Sequence, residues 1–176
     1  RESWGVRRVD PRMEEGKAKS AAADDVGTAV GRAATPATLA GTHVVVTAGA
    51  TKERIDPIRV LTSRASGKTG RAVARALYVR GASVTLVHDG PDVAYADTAA
   101  VETTDEMIDA CRRTAATADA LVSAPAISDS TADDADEKHR SGPPLSLDPP
   151  PTPKLLHSLR DVSPDLPIPG LHTTAV

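Results

Sequence analysis

The chain has 176 residues, 40% of them hydrophobic, which suits one compact domain with a tail. A formal net charge of −3 speaks against a general nucleic-acid-binding surface, and a single cysteine, Cys111, excludes an intrachain disulfide or a Cys-based zinc site. No apolar run approaches the roughly 18 residues of a membrane span, and no secretory signal opens the chain, so a cytoplasmic protein is expected.

Residues 1–38 read as detached from the core. Residues 16–32 could form one amphipathic helix, but the composition of 20–38 is closer to a linker, and weak packing is expected there. The first strand is the apolar run 43–47. A loop of small and charged residues follows, with Arg54, Arg59, Arg64 and Lys68. A helix over 68–80 stops at Gly81, a C-cap residue. The second strand is 83–88, and a short strand falls within 94–101. Thr104 opens a helix running to about 117, with acids in its first turn. The third strand is 120–124. A long polar loop over 128–151 leads to a short helix at 152–160, with Thr152 as N-cap and Pro153 in the first turn. A last strand, 166–171, is interrupted by Pro167 and Pro169. With no Phe, one Trp and two Tyr, the core must pack small aliphatics. Most of the 14 prolines fall late in the chain, where irregular backbone is expected.

Strands alternating with helices predict an α/β fold: a Rossmann-like parallel sheet with helices on both faces. Ligands of such sheets sit beyond the carboxyl ends of the strands. A strand, a Gly-containing loop and a helix start together offer backbone N–H groups and a positive dipole end to an anion. Lys68-Thr69 is not a Walker loop, because Thr62 stands where that motif needs glycine. No G-x-G-x-x-G follows the first strand, which argues against a nicotinamide enzyme. The five histidines show no metal spacing, and Ser63, Ser66 and Ser128 have no evident triad partners.

Several motifs in order carry a resemblance. Gly49-Ala-Thr51 and Ile55-Asp-Pro-Ile-Arg59 precede Ser63-Arg-Ala-Ser-Gly-Lys-Thr-Gly70. Further on stand 80–91, Ser123-Ala-Pro-Ala-Ile-Ser-Asp129, Glu137-Lys-His-Arg-Ser-Gly142 and Thr152-Pro-Lys-Leu-Leu156. Together, over about 39–171, they resemble the phosphopantothenoylcysteine synthetase domain of the bifunctional phosphopantothenoylcysteine decarboxylase/synthetase family. Residues 5–19 resemble the end of the preceding decarboxylase domain. The expected division is therefore 1–38 as decarboxylase remnant and linker, and 39–176 as the synthetase-like domain, incomplete at its C-terminus. The resemblance implies ligation of 4′-phosphopantothenate to cysteine in coenzyme A biosynthesis. The carboxylate attacks the α-phosphate of CTP, an acyl-cytidylate forms, and the cysteine amine displaces CMP. Mg²⁺ accompanies CTP, whereas FMN belongs only to the absent decarboxylase domain. The expected partners are these small molecules, with neither nucleic acid nor membrane, in a homodimer of the complete protein.

Position by position, the resemblance makes Lys138, Ser63 and Arg59 the catalytic candidates. It assigns Gly49, Gly67, Gly70, Ser123, Ala124, Pro125, Asp129, Lys138, Pro153, Lys154, Leu155 and Leu156 to the nucleotide. Ser63 and Ala126 are assigned to phosphopantothenate, and no residue to a metal. Arg59 could equally be a surface arginine paired with Asp56. Four departures sit on the motifs. Ser63 replaces an Asn, Pro125 replaces an Ala, His139 and Arg140 stand in a lysine-rich loop, and Gly170-Leu-His-Thr-Thr174 replaces Gly-Phe-x-x-Glu-Thr. The alternative is a non-catalytic degenerate homologue that binds nucleotide or a partner subunit.

Overall fold

The computed structural model describes residues 8–130 and 151–171. In chain order the elements are β1 (Arg12–Glu14), β2 (Lys17–Lys19), α1 (Ala23–Ala34), β3 (His43–Ala50), β4 (Lys52–Arg54) and β5 (Val60–Thr62). They continue with α2 (Lys68–Val79), β6 (Ser83–His88), β7 (Asp97–Ala100), α3 (Thr104–Ala115), β8 (Ala120–Ala126) and α4 (Leu155–Arg160). Four strands form one parallel sheet in the order β7-β6-β3-β8. This order runs outward in both directions from β3, as in dinucleotide-binding folds, and helices cover both faces, as the alternation predicted.

Side-chain alternation along the central strands divides the core in two. Val44, Val46 and Ala48 of β3 join Val84 and Leu86 of β6 and Ala74 of α2. On the other face Val45, Val87 and Leu121 meet Met107, Ile108 and Cys111 of α3 and Leu155 and Leu159 of α4. Burial pushes the Cys111 thiol up to about 12, so it behaves as a small hydrophobe.

The N-terminal segment departs from the expectation of weak packing. β1 and β2 form a hairpin, and α1 lies against α2. Arg32 is the anchor. Its guanidinium donates to the carbonyls of Gly81 at 3.1 Å, Ala82 at 3.0 Å and Tyr78, and stacks 4.1 Å from the Tyr78 ring centroid. These bonds occupy carbonyls where α2 ends, which a helix C-terminus leaves open.

Both predicted caps shift. α3 is capped by Thr103, not Thr104. The Thr103 hydroxyl accepts from the Glu106 N–H, and the Glu106 carboxylate accepts from the Thr103 N–H, a complete capping box. Thr104 is buried and donates to the Glu53 carboxylate at 2.6 Å. Likewise α4 starts at Leu155 after Lys154, and the Thr152 hydroxyl instead donates to the Ser128 carbonyl at 2.5 Å.

The predicted last strand is reduced to single contacts along β8. Leu121 N–H donates to Pro167 O, Ser123 N–H to Pro169 O and Leu171 N–H to Ser123 O. The prolines lack a donor but keep their carbonyls, so they serve as acceptors on a sheet edge.

Candidate functional site at the carboxyl edge of the sheet

β3 ends in the turn that opens the site. Gly49 has φ 85°, a conformation that favours glycine. It pairs in register with Pro125 of β8, so the exits of these two strands lie side by side. Gly67, with φ 68°, sits before α2. A Cβ there would lie 2.9 Å from the Gly49 nitrogen. At Gly70 a Cβ would lie 2.5 Å from the Ala48 Cβ. The three candidate glycines thus allow the first turn of α2 to touch the end of β3. No side chain caps that helix start, and its first turn carries no acid.

β8 carries the other half. Ser123, Pro125 and Ile127 project to one face and line a cavity of about 470 Å³ with Asp129, Pro153, Lys154, Leu155, Leu156, His157, Gly170 and Leu171. Seven sequence candidates for nucleotide binding therefore share one wall. Ala124 and Ala126 fall at the alternate positions and do not line this cavity. The Ala124 N–H donates to the Thr47 hydroxyl at 3.2 Å, and the Ala126 carbonyl accepts from Thr51 N–H at 3.3 Å. Pro125 fits β8 because odd-numbered donors there point away from β3: those of Leu121 and Ser123 reach the 167–169 carbonyls. Its missing N–H would face outward, so the ladder to β3 is intact.

At the rim the Lys154 ammonium donates to Asp129 Oδ1 at 2.6 Å, and both side chains are exposed. The hydrogen bond and the charge of Lys154 hold the Asp129 carboxyl below its ordinary range. The Thr152 N–H donates to the Asp129 carbonyl at 3.1 Å, which ties the start of the α4 segment to the exit of β8.

A buried polar hub behind the rim fixes that exit. The Thr51 hydroxyl accepts from Ser128 N–H at 3.0 Å and, since the Thr104 proton goes to Glu53, donates to the Thr104 hydroxyl at 3.0 Å. The Thr51 carbonyl accepts from Thr62 at 2.8 Å. Glu53 accepts from Thr104 N–H at 3.1 Å, a carboxylate at the start of α3 where the dipole favours it.

Other candidates stand apart. β4 and β5 form an antiparallel hairpin, and Asp56 organises its turn by accepting from the N–H groups of Ile58 and Arg59. Arg59 pairs with Asp56 at 3.2 Å, the surface pairing foreseen as its other reading. Neither Arg59 nor the exposed Ser63 lines the cavity beside α4. Lys138, with His139 and Arg140, lies outside the described residues. Ile127, His157, Gly170 and Leu171 were not among the sequence candidates. The period-two spacing 123-125-127 and the helical spacing 153-157 would have found two of them.

Residues 39–165 match the DNA/pantothenate metabolism flavoprotein C-terminal domain family. The chain belongs to that family. A curated relative, the coenzyme A biosynthesis bifunctional protein CoaBC of Thermococcus kodakarensis, is 41% identical over 165 residues, 91% of this chain and 41% of that protein. CoaBC of Mycobacterium tuberculosis is 46% identical over 101 residues, 54% of this chain and 24% of that protein. The chain thus spans about two fifths or less of these relatives. Among solved structures, the C-terminal domain of a CoaBC protein matches with TM-score 0.59 and 26% identity, over 74% of this chain and 64% of that one. A Cab2 mutant in complex with phosphopantothenate-cysteine matches at TM-score 0.55 and 14% identity, over 84% and 70%, a likeness of fold. Membership of this family agrees with the resemblance read from the motifs. Among the described residues no helix is long and apolar enough to cross a membrane.

Proposed function

We propose that this domain is a phosphopantothenate–cysteine ligase that uses CTP as its activating nucleotide. The observation that carries the reading is the cavity beside α4. Ser123, Pro125, Asp129 and residues 153–156, far apart in sequence, line about 470 Å³ at the carboxyl edge of the sheet.

The wall is compatible with this chemistry. Ile127, Leu155, Leu156 and Leu171 offer an apolar surface to a base, and Asp129 offers a carboxylate to ribose hydroxyls at the rim. The phosphopantothenate carboxylate attacks the α-phosphate and pyrophosphate leaves. The cysteine amine then attacks the acyl carbon and CMP leaves. Negative charge builds on the transferring phosphate, so cations and fixed backbone donors serve better than a covalent nucleophile. Lys154 at the rim and Lys138, which lies between β8 and α4 in sequence, are the cations assigned to that charge. The uncapped start of α2, beside Gly49, suits the second polyanion. Mg²⁺ is assigned to the nucleotide phosphates. Among the described residues no group of three His, Cys, Asp or Glu could hold a metal ion. The homodimer and the cytoplasmic setting belong to the same proposal for the complete protein.

The test is incubation of the folded chain with 4′-phosphopantothenate, cysteine and CTP, read by mass spectrometry. Formation of phosphopantothenoylcysteine with equimolar CMP is expected. Binding of CTP without product would favour the non-catalytic homologue. Equal turnover with ATP would remove the CTP assignment and leave the ligase.

A further inference from the structure

A cavity larger than the one beside α4 lies elsewhere in the described residues. It encloses about 730 Å³ between α1, α2 and the loop 89–95, and none of the residues assigned to the ligase reaction lines it. Its size falls within the range of small-molecule sites.

Three features point to a ligand. Arg71 and Arg75, one turn apart on α2, both line the cavity. Their guanidiniums are held by backbone carbonyls, Ser66 at 2.7 Å and Asp24 at 3.4 Å, rather than by carboxylates, so their charge remains available to an anion. Tyr95 lines the same wall, and both arginines act on its phenol. Next, His88 at the end of β6 is 1% exposed, and both its ring nitrogens lack a hydrogen-bond partner. Its ring lies against Gly90, a lining residue, so close that a Cβ there would stand 2.7 Å from it. His88 stands behind this wall and does not itself line the cavity; a buried polar group without a partner costs about 1–3 kcal/mol, and such a group marks a place where a ligand or water completes the bonding. Last, Ala72, Ala76, Val79 and Val93 form an apolar strip between the charged ends.

The signs of the charges narrow the ligand. Two arginines balance one phosphate. Asp24, Asp25 and Asp92 line the rest of the cavity with Asp89, whose carboxylate is paired with Lys52, and the remaining negative charge favours an anion of low charge over a triphosphate. Asp89 follows directly on β6, the second strand of the parallel unit, the place from which an acidic residue bonds ribose hydroxyls in dinucleotide-binding folds; its Oδ2 pairs with Lys52, which leaves Oδ1 for that role. The apolar strip suits a base. We propose that this cavity is a second site, for a nucleoside monophosphate, separate from the ligase cavity and independent of the ligase reading.

The test is calorimetric titration of the full chain with AMP, alongside three variants. Ala76→Phe fills the cavity without changing charge, Arg75→Ala removes a phosphate partner, and Leu156→Arg blocks only the cavity beside α4. Circular dichroism establishes that each variant is folded. The expected result is saturable binding, weakened at least about tenfold by Ala76→Phe and Arg75→Ala and unchanged by Leu156→Arg. No binding of AMP, loss only in Leu156→Arg, or inorganic phosphate binding as tightly as AMP would each overturn the proposal.

Discussion

The two sides of the β3–β8 junction are built differently. On the α2 side, backbone meets backbone: Gly67 and Gly70 bring a helix onto β3 with no room for a methyl group. On the α4 side, β8 faces a segment that supplies proline carbonyls, a six-residue helix and an open cavity. The first side holds its shape by backbone contact, the second by hydrogen bonds at a sheet edge and by Leu155 and Leu159 of α4 in the core. Substitutions on the first side should therefore be felt in stability, and exposed ones on the second in ligand binding.

The largest expected effect tests where α4 joins the core. Leu159 is fully buried, and Leu159→Ala should cost about 2–5 kcal/mol in denaturant unfolding. A cost near zero would mean that α4 is not docked and that the cavity is not formed. Next comes Gly70→Ala, whose methyl would meet Ala48 and the Thr47 carbonyl. Overpacking there should cost about 1–3 kcal/mol, and a neutral result would show that α2 can slide and that the contact is not tight. Smaller again is Thr103→Ala, which removes the capping box of α3 and should lower stability by about 1 kcal/mol. At the rim, Asp129→Asn should leave the melting temperature unchanged, because the pair with Lys154 is solvent-exposed, yet weaken CTP binding. The reverse pattern would make Asp129 a structural residue.

A pH series distinguishes the sides in another way. Burial first, and the charge of Arg71 second, hold His88 below the ordinary histidine range. A depressed folded value means that the stabilisation is present above the unfolded value and lost as pH falls below it. The melting temperature should therefore fall as the solution is acidified below about pH 6.5. His88→Gln should flatten that slope.

How far the sequence was legible follows the same division. The strand Ser83–His88 was read to the residue because an apolar run is bounded by Gly81 and Asp89-Gly90. The start of the central strand at His43 was read for the same reason, but its end was not: β3 runs through Gly49 to Ala50, where small residues read as a loop. α1 was read as a linker because Ala, Gly and Thr have little apolar contrast; what holds it is Arg32 gripping carbonyls about fifty positions away, which no local pattern announces. The β4–β5 hairpin was missed because each strand has three residues and its turn is set by Asp56. The α3 cap was misplaced by one residue, although Glu106 stands three after Thr103, the spacing that marks a capping box. Most of the residues that line the cavity beside α4 were singled out through the resemblance. Its geometry was not, because the edge contacts of Pro167 and Pro169 use carbonyls, which every residue has.

The central claim is that nucleotide binds between β8 and α4. Amide chemical-shift mapping of the labelled chain during titration with CTP tests it most directly. The account predicts saturable shifts at 123–129 and 154–157, abolished by Leu156→Arg. Shifts confined to other surfaces, with β8 and α4 silent at saturation, would contradict it.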